Sequence, residues 1–240
     1  MGESENALTF AAREILPAQI LEAAIDADCI KAASPYVTCN RLFANTKASS
    51  KILYTDFRAI SFISGASSLT VLRKLMELSV DIFHVSALHA KVFLIDENSF
   101  SLGSQNLTVQ GQKNIEANVI SGTETTTSSI VSFFEELHSK AIGLCVEDLD
   151  LMEQLIETII PDFEAIAKKA EETDQEIADA IALRQEEEAG RRRETMKATL
   201  AELLASLKSK TTEHSRSIRA TVKRLANVRD AGWNVTHTNS

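Results

Sequence analysis

The chain has 240 residues, a hydrophobic fraction of 44% and a formal net charge of −9. That length holds one good domain and an appendage. The charge argues against a general electrostatic grip on nucleic acid or anionic membrane, while leaving room for a local basic cleft, and no apolar run reaches membrane-spanning length.

Residues 1–16 are weakly patterned. Pro17 opens a helix whose apolar face is Ile20, Leu21, Ala24 and Ile25. Asp28 to Ser34 reads as a buried strand stopped by Pro35, and Lys51 to Phe57 as a second strand. The Gly65, Ser67 and Ser68 stretch caps a helix carrying Leu69, Leu72, Leu75, Met76 and Leu78. Val80 to Val85 is a third strand. Lys91 to Ile95 is a short apolar, β-branched run, and Phe100-Ser101-Leu102 is a second short run, with Glu97-Asn98 as turn chemistry between them. Asn114 to Ile120 is a further strand. A helix is predicted from about Thr125 to Ile142, with Ile130, Phe133, Phe134, Leu137 and Ile142 facing inward. Strands alternating with helices imply an α/β domain around a mixed sheet.

After Cys145 the character changes, so the expected organisation is a domain over 1–146 and a charged helical tail over 147–240. From Glu147 to Asn227 there is one glycine, Gly190, and one proline, Pro161. Residues 147–188 hold 15 Asp/Glu against 3 Lys/Arg, a net of −12; residues 191–224 hold 10 Lys/Arg against 3 Asp/Glu, a net of +7. Apolar residues recur at helical spacing: Leu151, Leu155, Ile159; Ile177, Ile181; Leu200, Leu203, Leu204, Leu207; Ile218, Val222, Leu225. Two or three long helices are expected, with Gly190 as a weak hinge. Their acidic and basic arms are expected to bind each other or a partner chain, or to be solvated faces.

Residues 89–106 read HAKVFLIDENSFSLGSQN. On a strand His89 and Lys91 share a face, and Ser104 and Asn106 are again two apart. The hairpin would gather His, Lys, Ser and Asn at one end of a sheet. That set suits a phosphate ester. A neutral imidazole can attack phosphorus, and an ammonium and an amide can hold the non-bridging oxygens. No carboxylate cluster is required, so neither metal nor cofactor is implied.

The spacing HxK, four residues, Asp, six residues, GSxN is similar to the signature of the phospholipase D superfamily, matched at every fixed position. The resemblance runs from Leu21 to about Leu144, including Ala33-Ser34-Pro35-Tyr36 and Asn114-Ile115-Glu116. It implies a phospholipase D-like mixed sheet sandwiched by helices, ahead of an all-α, coiled-coil-like extension. It also implies a phosphodiesterase working through a phosphohistidine. His89 would be nucleophile in one subunit and acid/base in another, Lys91 and Asn106 would bind phosphoryl oxygens, and Ser104 would support that pocket. Glu116 would accept from the imidazole N–H. Asp96 completes the set as a fixed motif position with a role more structural than chemical. Gly103 allows close backbone approach. The route needs two imidazoles, whereas His84, His138, His214 and His237 are not followed by Lys two residues on. A homodimer with one active site is therefore expected, built through the catalytic domain.

The local sequence resembles prokaryotic nucleases most, so DNA or RNA is the first substrate reading. Lys51, Arg58, Lys113 and residues 191–224 would supply positive surface. Hydrolysis of phospholipid or a small phosphodiester is the second reading, and a non-catalytic scaffold with a partner-binding tail the third. The absence of a basic-then-apolar leader and the odd number of cysteines, Cys29, Cys39 and Cys145, point to reduced, partly buried thiols in a cytoplasmic protein that does not engage membrane.

Overall fold

The computed structural model describes residues 9–12, 18–109, 116–120 and 124–235, with side chains over 18–109, 116–120 and 127–227. Lys113, Asn114, Ile115 and Pro17 lie outside the described residues. Two compact units divide between Ala167 and Lys168.

The first unit is built on an eight-stranded sheet. Its strands are β1 (Thr9–Ala12), β2 (Cys29–Ala33), β3 (Ser50–Thr55), β4 (Asp81–His84), β5 (Val92–Ile95), β6 (Ser99–Gly103), β7 (Ala117–Ile120) and β8 (Ile142–Gly143). They lie in the order β1-β7-β6-β5-β2-β3-β4-β8. β2, β3 and β4 are parallel to one another, and every other pairing is antiparallel. The helices are α1 (Ala18–Ile25), α2 (Arg41–Ala44), α3 (Ala59–Ile63), α4 (Leu69–Glu77), α5 (Glu124–Lys140), α6 (Val146–Glu157) and α7 (Ile160–Val235).

Burial follows the two-residue period of the strands. In β5, Phe93 and Ile95 join a core with Ile20 of α1, Leu42 of α2, Leu72 of α4 and Leu149 of α6. Val92 and Leu94 point the other way, against Ile130, Phe134 and Leu137 of α5. A strand buried on both faces reads as an unbroken apolar run, which is why Val92 to Ile95 shows no alternation. The expected mixed sheet sandwiched by helices is what forms. The expected cap is made too: Ser68 precedes α4, and its side chain accepts from the Val71 amide.

Several expectations need correction. The start of the chain is not featureless: β1 closes one sheet edge by pairing with β7. Ile25 and Ile142, expected on buried faces, are 47% and 65% exposed, and Cys145 is exposed. The hairpin turns on Asp96 and Glu97, whose φ angles are 48° and 57°, one residue earlier than the Glu97-Asn98 pair.

The compact domain also runs past residue 146. α6 packs Leu149 and Ile156 into the core, with Met152 and Ile160 against it. Leu151, Leu155 and Ile159, the stripe read from spacing, are the residues left exposed. Arg73 on α4 holds the helix through Asp150 at 2.5 Å and Glu153 at 2.7 Å. The helices after residue 146 are two, α6 and α7, within the expected two or three, and α7 runs unbroken through Gly190, the expected weak hinge. Pro161 sits in its first turn, where a missing N–H costs nothing. Gly190 passes through its interior, since one glycine costs a helix only about 1 kcal/mol.

Candidate active site

The mixed sheet brings many chain segments to one edge. β2, β3 and β4 run parallel and end there; β5 and β7 run against them and begin there. β6, antiparallel to β5, also ends there. That edge therefore carries His89 and Lys91 ahead of β5, Ser104 to Asn106 after β6, and Glu116 ahead of β7. Ser34 and Pro35 follow β2, Asp56 follows β3, and His84 ends β4.

His89 is exposed, and its ring makes no hydrogen bond among the described residues. Lys91 is only 8% exposed, and its Nζ donates to the main-chain carbonyl of His89 at 2.8 Å. Burial pulls the Lys91 ammonium below the ordinary lysine pKa, and the nearby Glu116 charge opposes that shift. Lys91 is also pinned through its backbone, where its carbonyl accepts from the Gly103 amide at 3.2 Å.

Gly103 is required by packing. A Cβ there would fall on the Ala117 carbonyl oxygen and on Asn118. That close approach of β6 to β7 lets Ser104 bond three ways. Its amide donates to the Ala117 carbonyl at 3.0 Å, its Oγ accepts from the Ala117 amide at 3.0 Å, and its Oγ–H donates to Glu116 Oε2. Glu116, 7% exposed, is thus bound to Ser104, and no bond from the His89 ring to it is made within one chain. Gln105, fully buried, accepts from Asn118 Nδ2 at 2.7 Å and anchors the loop. Asn106 carries a buried Oδ1 with no partner among the described residues. The Leu107 amide after it donates to Ser34 Oγ at 2.8 Å.

Asp96 does not join the set. It sits at the opposite end of β5, where its Oδ1 accepts the amides of Asp28 at 2.9 Å and Cys29 at 2.8 Å. Its work is to tie the hairpin turn to the start of β2. Lys51 does not join either, because its ammonium donates to the Leu78 carbonyl, beside the start of β4.

Sequence reasoning missed Asp56. Its side chain is wholly buried and neither oxygen completes a hydrogen bond, yet Oδ2 lies 2.6 Å from Nε of Arg58, whose side chain is 57% exposed. The same edge holds this pair: Thr55 Oγ1 donates to the Pro35 carbonyl at 3.2 Å, and Ser34 is already bonded to Leu107. His84 is fixed by the Phe57 amide, which donates to its Nδ1 at 3.0 Å. His138 is a packing residue, with Nδ1 3.1 Å from the Tyr54 hydroxyl. The only sequence signal for Asp56 is a carboxylate near the end of a buried strand, too common to single out.

Residues 30–138 match a family model described as "Cardiolipin synthase, PLD-like domain". No curated protein matches the chain significantly. Among solved structures, the chain is similar to a phospholipase D family member, Nuc from Salmonella typhimurium, at 15% identity and a TM-score of 0.49, covering 57% of this chain and 97% of that one. NucT from Helicobacter pylori gives 14% identity and a TM-score of 0.45 over 57% of this chain and 100% of that one. Phosphatidylserine synthase from Haemophilus influenzae gives 10% and 0.49 over 68% and 47%. The HxK and GSxN residues lie within the matched span, at one edge of a mixed sheet sandwiched by helices. Residues 30–138 form a phospholipase D-like domain.

Proposed function

We propose that two copies of this chain form one active site that hydrolyses phosphodiester bonds of DNA or RNA without a metal. The observation that carries this reading is an exposed imidazole at this sheet edge, His89, whose ring makes no hydrogen bond among the described residues. His89 stands beside a buried ammonium and a buried carboxylate, on the edge that also holds Ser104 and Asn106. Chemistry that needs an attacking imidazole and a proton-donating one is complete only when a second copy brings its own His89.

The steps balance as follows. A His89 ring nitrogen attacks phosphorus with its lone pair and forms a P–N bond. The P–O bond to the leaving alcohol breaks, and the imidazolium of the second copy's His89 protonates that oxygen. Water then attacks phosphorus, giving its proton to the now neutral second imidazole, and the P–N bond breaks with its electron pair returning to nitrogen. Lys91 and Asn106 from each copy hold the non-bridging oxygens as charge builds on them. Ser104 and Glu116 support the pocket and balance the lysine charge.

Nucleic acid is preferred as substrate because Arg58 offers an exposed guanidinium, oriented by buried Asp56, on the same edge, which suits a chain of phosphates. A second reading, hydrolysis or transfer at a phospholipid phosphodiester, is favoured by the description of the matched family. The discriminating experiment is a turnover panel of DNA, RNA, phospholipid vesicles and bis(4-nitrophenyl) phosphate, with EDTA present and with His89→Ala as control. Nucleic-acid cleavage that survives EDTA and vanishes in His89→Ala is expected. Turnover of phospholipid alone would replace the substrate, and loss on chelation would overturn the metal-free route.

A further inference from the structure

α7 presents a stripe of large apolar residues to water. Met196, Leu203, Leu207, Ile218, Val222 and Leu225 are each more than half exposed. Their spacing is regular: Met196, Leu207 and Ile218 are eleven apart, Leu200 and Val222 twenty-two, and Leu203 and Leu225 twenty-two. Eleven residues close three helical turns to within about 20°. These positions therefore stay on one face about 100° wide, the width of a stripe made for packing. Ile177 and Ile181, also exposed, extend the apolar pattern into the acidic arm.

The charges decide what covers the stripe. Residues 171–188 hold 8 Asp/Glu against Arg184, a net of −7, and residues 191–224 have a net of +7. Within the second unit the ion pairs between described residues are confined to Lys197 and Glu194, 2.8 Å apart. Arg216, Arg219, Lys223 and Arg224 have no acidic partner among the described residues. A second copy running in the opposite direction sets acidic arm against basic arm on both sides. A parallel, in-register copy sets like charges together.

We propose that residues 168–227 pair antiparallel with the same segment of a second copy, burying the Met196–Leu225 stripe and matching the two charged arms. This pairing is separate from the meeting of two catalytic domains and does not rest on it.

The test uses the full chain, with dyes attached through encoded handles so that the native cysteines remain. One preparation carries a donor at position 175 and another an acceptor at position 217. A third and a fourth carry donor and acceptor, both at 217. Antiparallel pairing predicts strong energy transfer in the 175/217 mixture and weak transfer in the 217/217 mixture. Leu203→Asp with Leu207→Asp should bring the 175/217 transfer down to background while circular dichroism shows the helix retained. Transfer stronger for 217/217 means a parallel pair and overturns the proposal. So does transfer that survives the aspartates, or no transfer in either mixture, which would leave the stripe to a different protein.

Discussion

Lys91 donates its ammonium to the main-chain carbonyl of His89, 2.8 Å away and two residues back. One buried cation is thereby locked to the segment that carries His89. Burial lowers the Lys91 pKa from the ordinary 10.5, and Glu116 opposes the shift. The charged form is lost at a lower pH than for a solvated lysine. The alkaline limb of a kcat/KM profile should therefore begin below the usual lysine range. Glu116→Gln removes the opposing charge and should move that limb further down. The same lowered pKa means the unfolded chain binds more protons between the lowered value and 10.5, so this residue adds stability as pH rises through that window. An alkaline limb unmoved by Glu116→Gln would contradict the coupling.

Asp96 gives a different outcome. Asp96→Ala leaves the amides of Asp28 and Cys29 without their acceptor, a loss of about 1–3 kcal/mol. Denaturant melts should record that loss, and kcat of the folded protein should stay at the wild-type value. A fully folded variant with abolished turnover would return Asp96 to the chemistry.

The extent of the domain can be read from truncations. Leu149 is fully buried, so Leu149→Ala should cost about 2–5 kcal/mol. A chain ending at Ala167 should melt cooperatively. One ending at residue 146 exposes the surface that Leu149 and Ile156 cover and should melt lower or fail to fold. Equal stability of the two truncations would assign α6 to the tail.

Arg58 is examined through salt. If it contacts a substrate phosphate, Arg58→Ala should weaken binding of every oligonucleotide sequence alike. The slope of log K against log salt should fall by about one. Asp56→Asn, which frees the guanidinium from its buried partner, should act in the same direction. An unchanged salt slope would remove Arg58 from the substrate path.

How far the molecule was legible depended on whether a signal was local. The hairpin from His89 to Asn106 was legible because β5 is an unbroken apolar run, β6 alternates Phe100 and Leu102 with serines, and its polar residues fall at fixed spacings. The cap at Ser68 was legible for the same reason. The carboxylate of Asp56 was not, because its meaning comes from β3 ending beside β2, a relation between distant segments. α6 misled in another way. Leu151, Leu155 and Ile159 make as regular a stripe as Leu149, Met152 and Ile156, and only docking on α4 decides which is buried. β1 and β8 are four and two residues long, too short for a period to register, and exist because an edge strand was open beside them.

The central claim is that both imidazoles of the reaction are copies of His89. Wild-type and His89→Ala chains, differently tagged, can be unfolded and refolded together in varied proportion. If each site needs two intact copies, activity follows the square of the wild-type fraction, and an equal mixture retains about a quarter of full activity. A linear dependence, with half the activity retained, would mean that one copy suffices and would contradict the shared site.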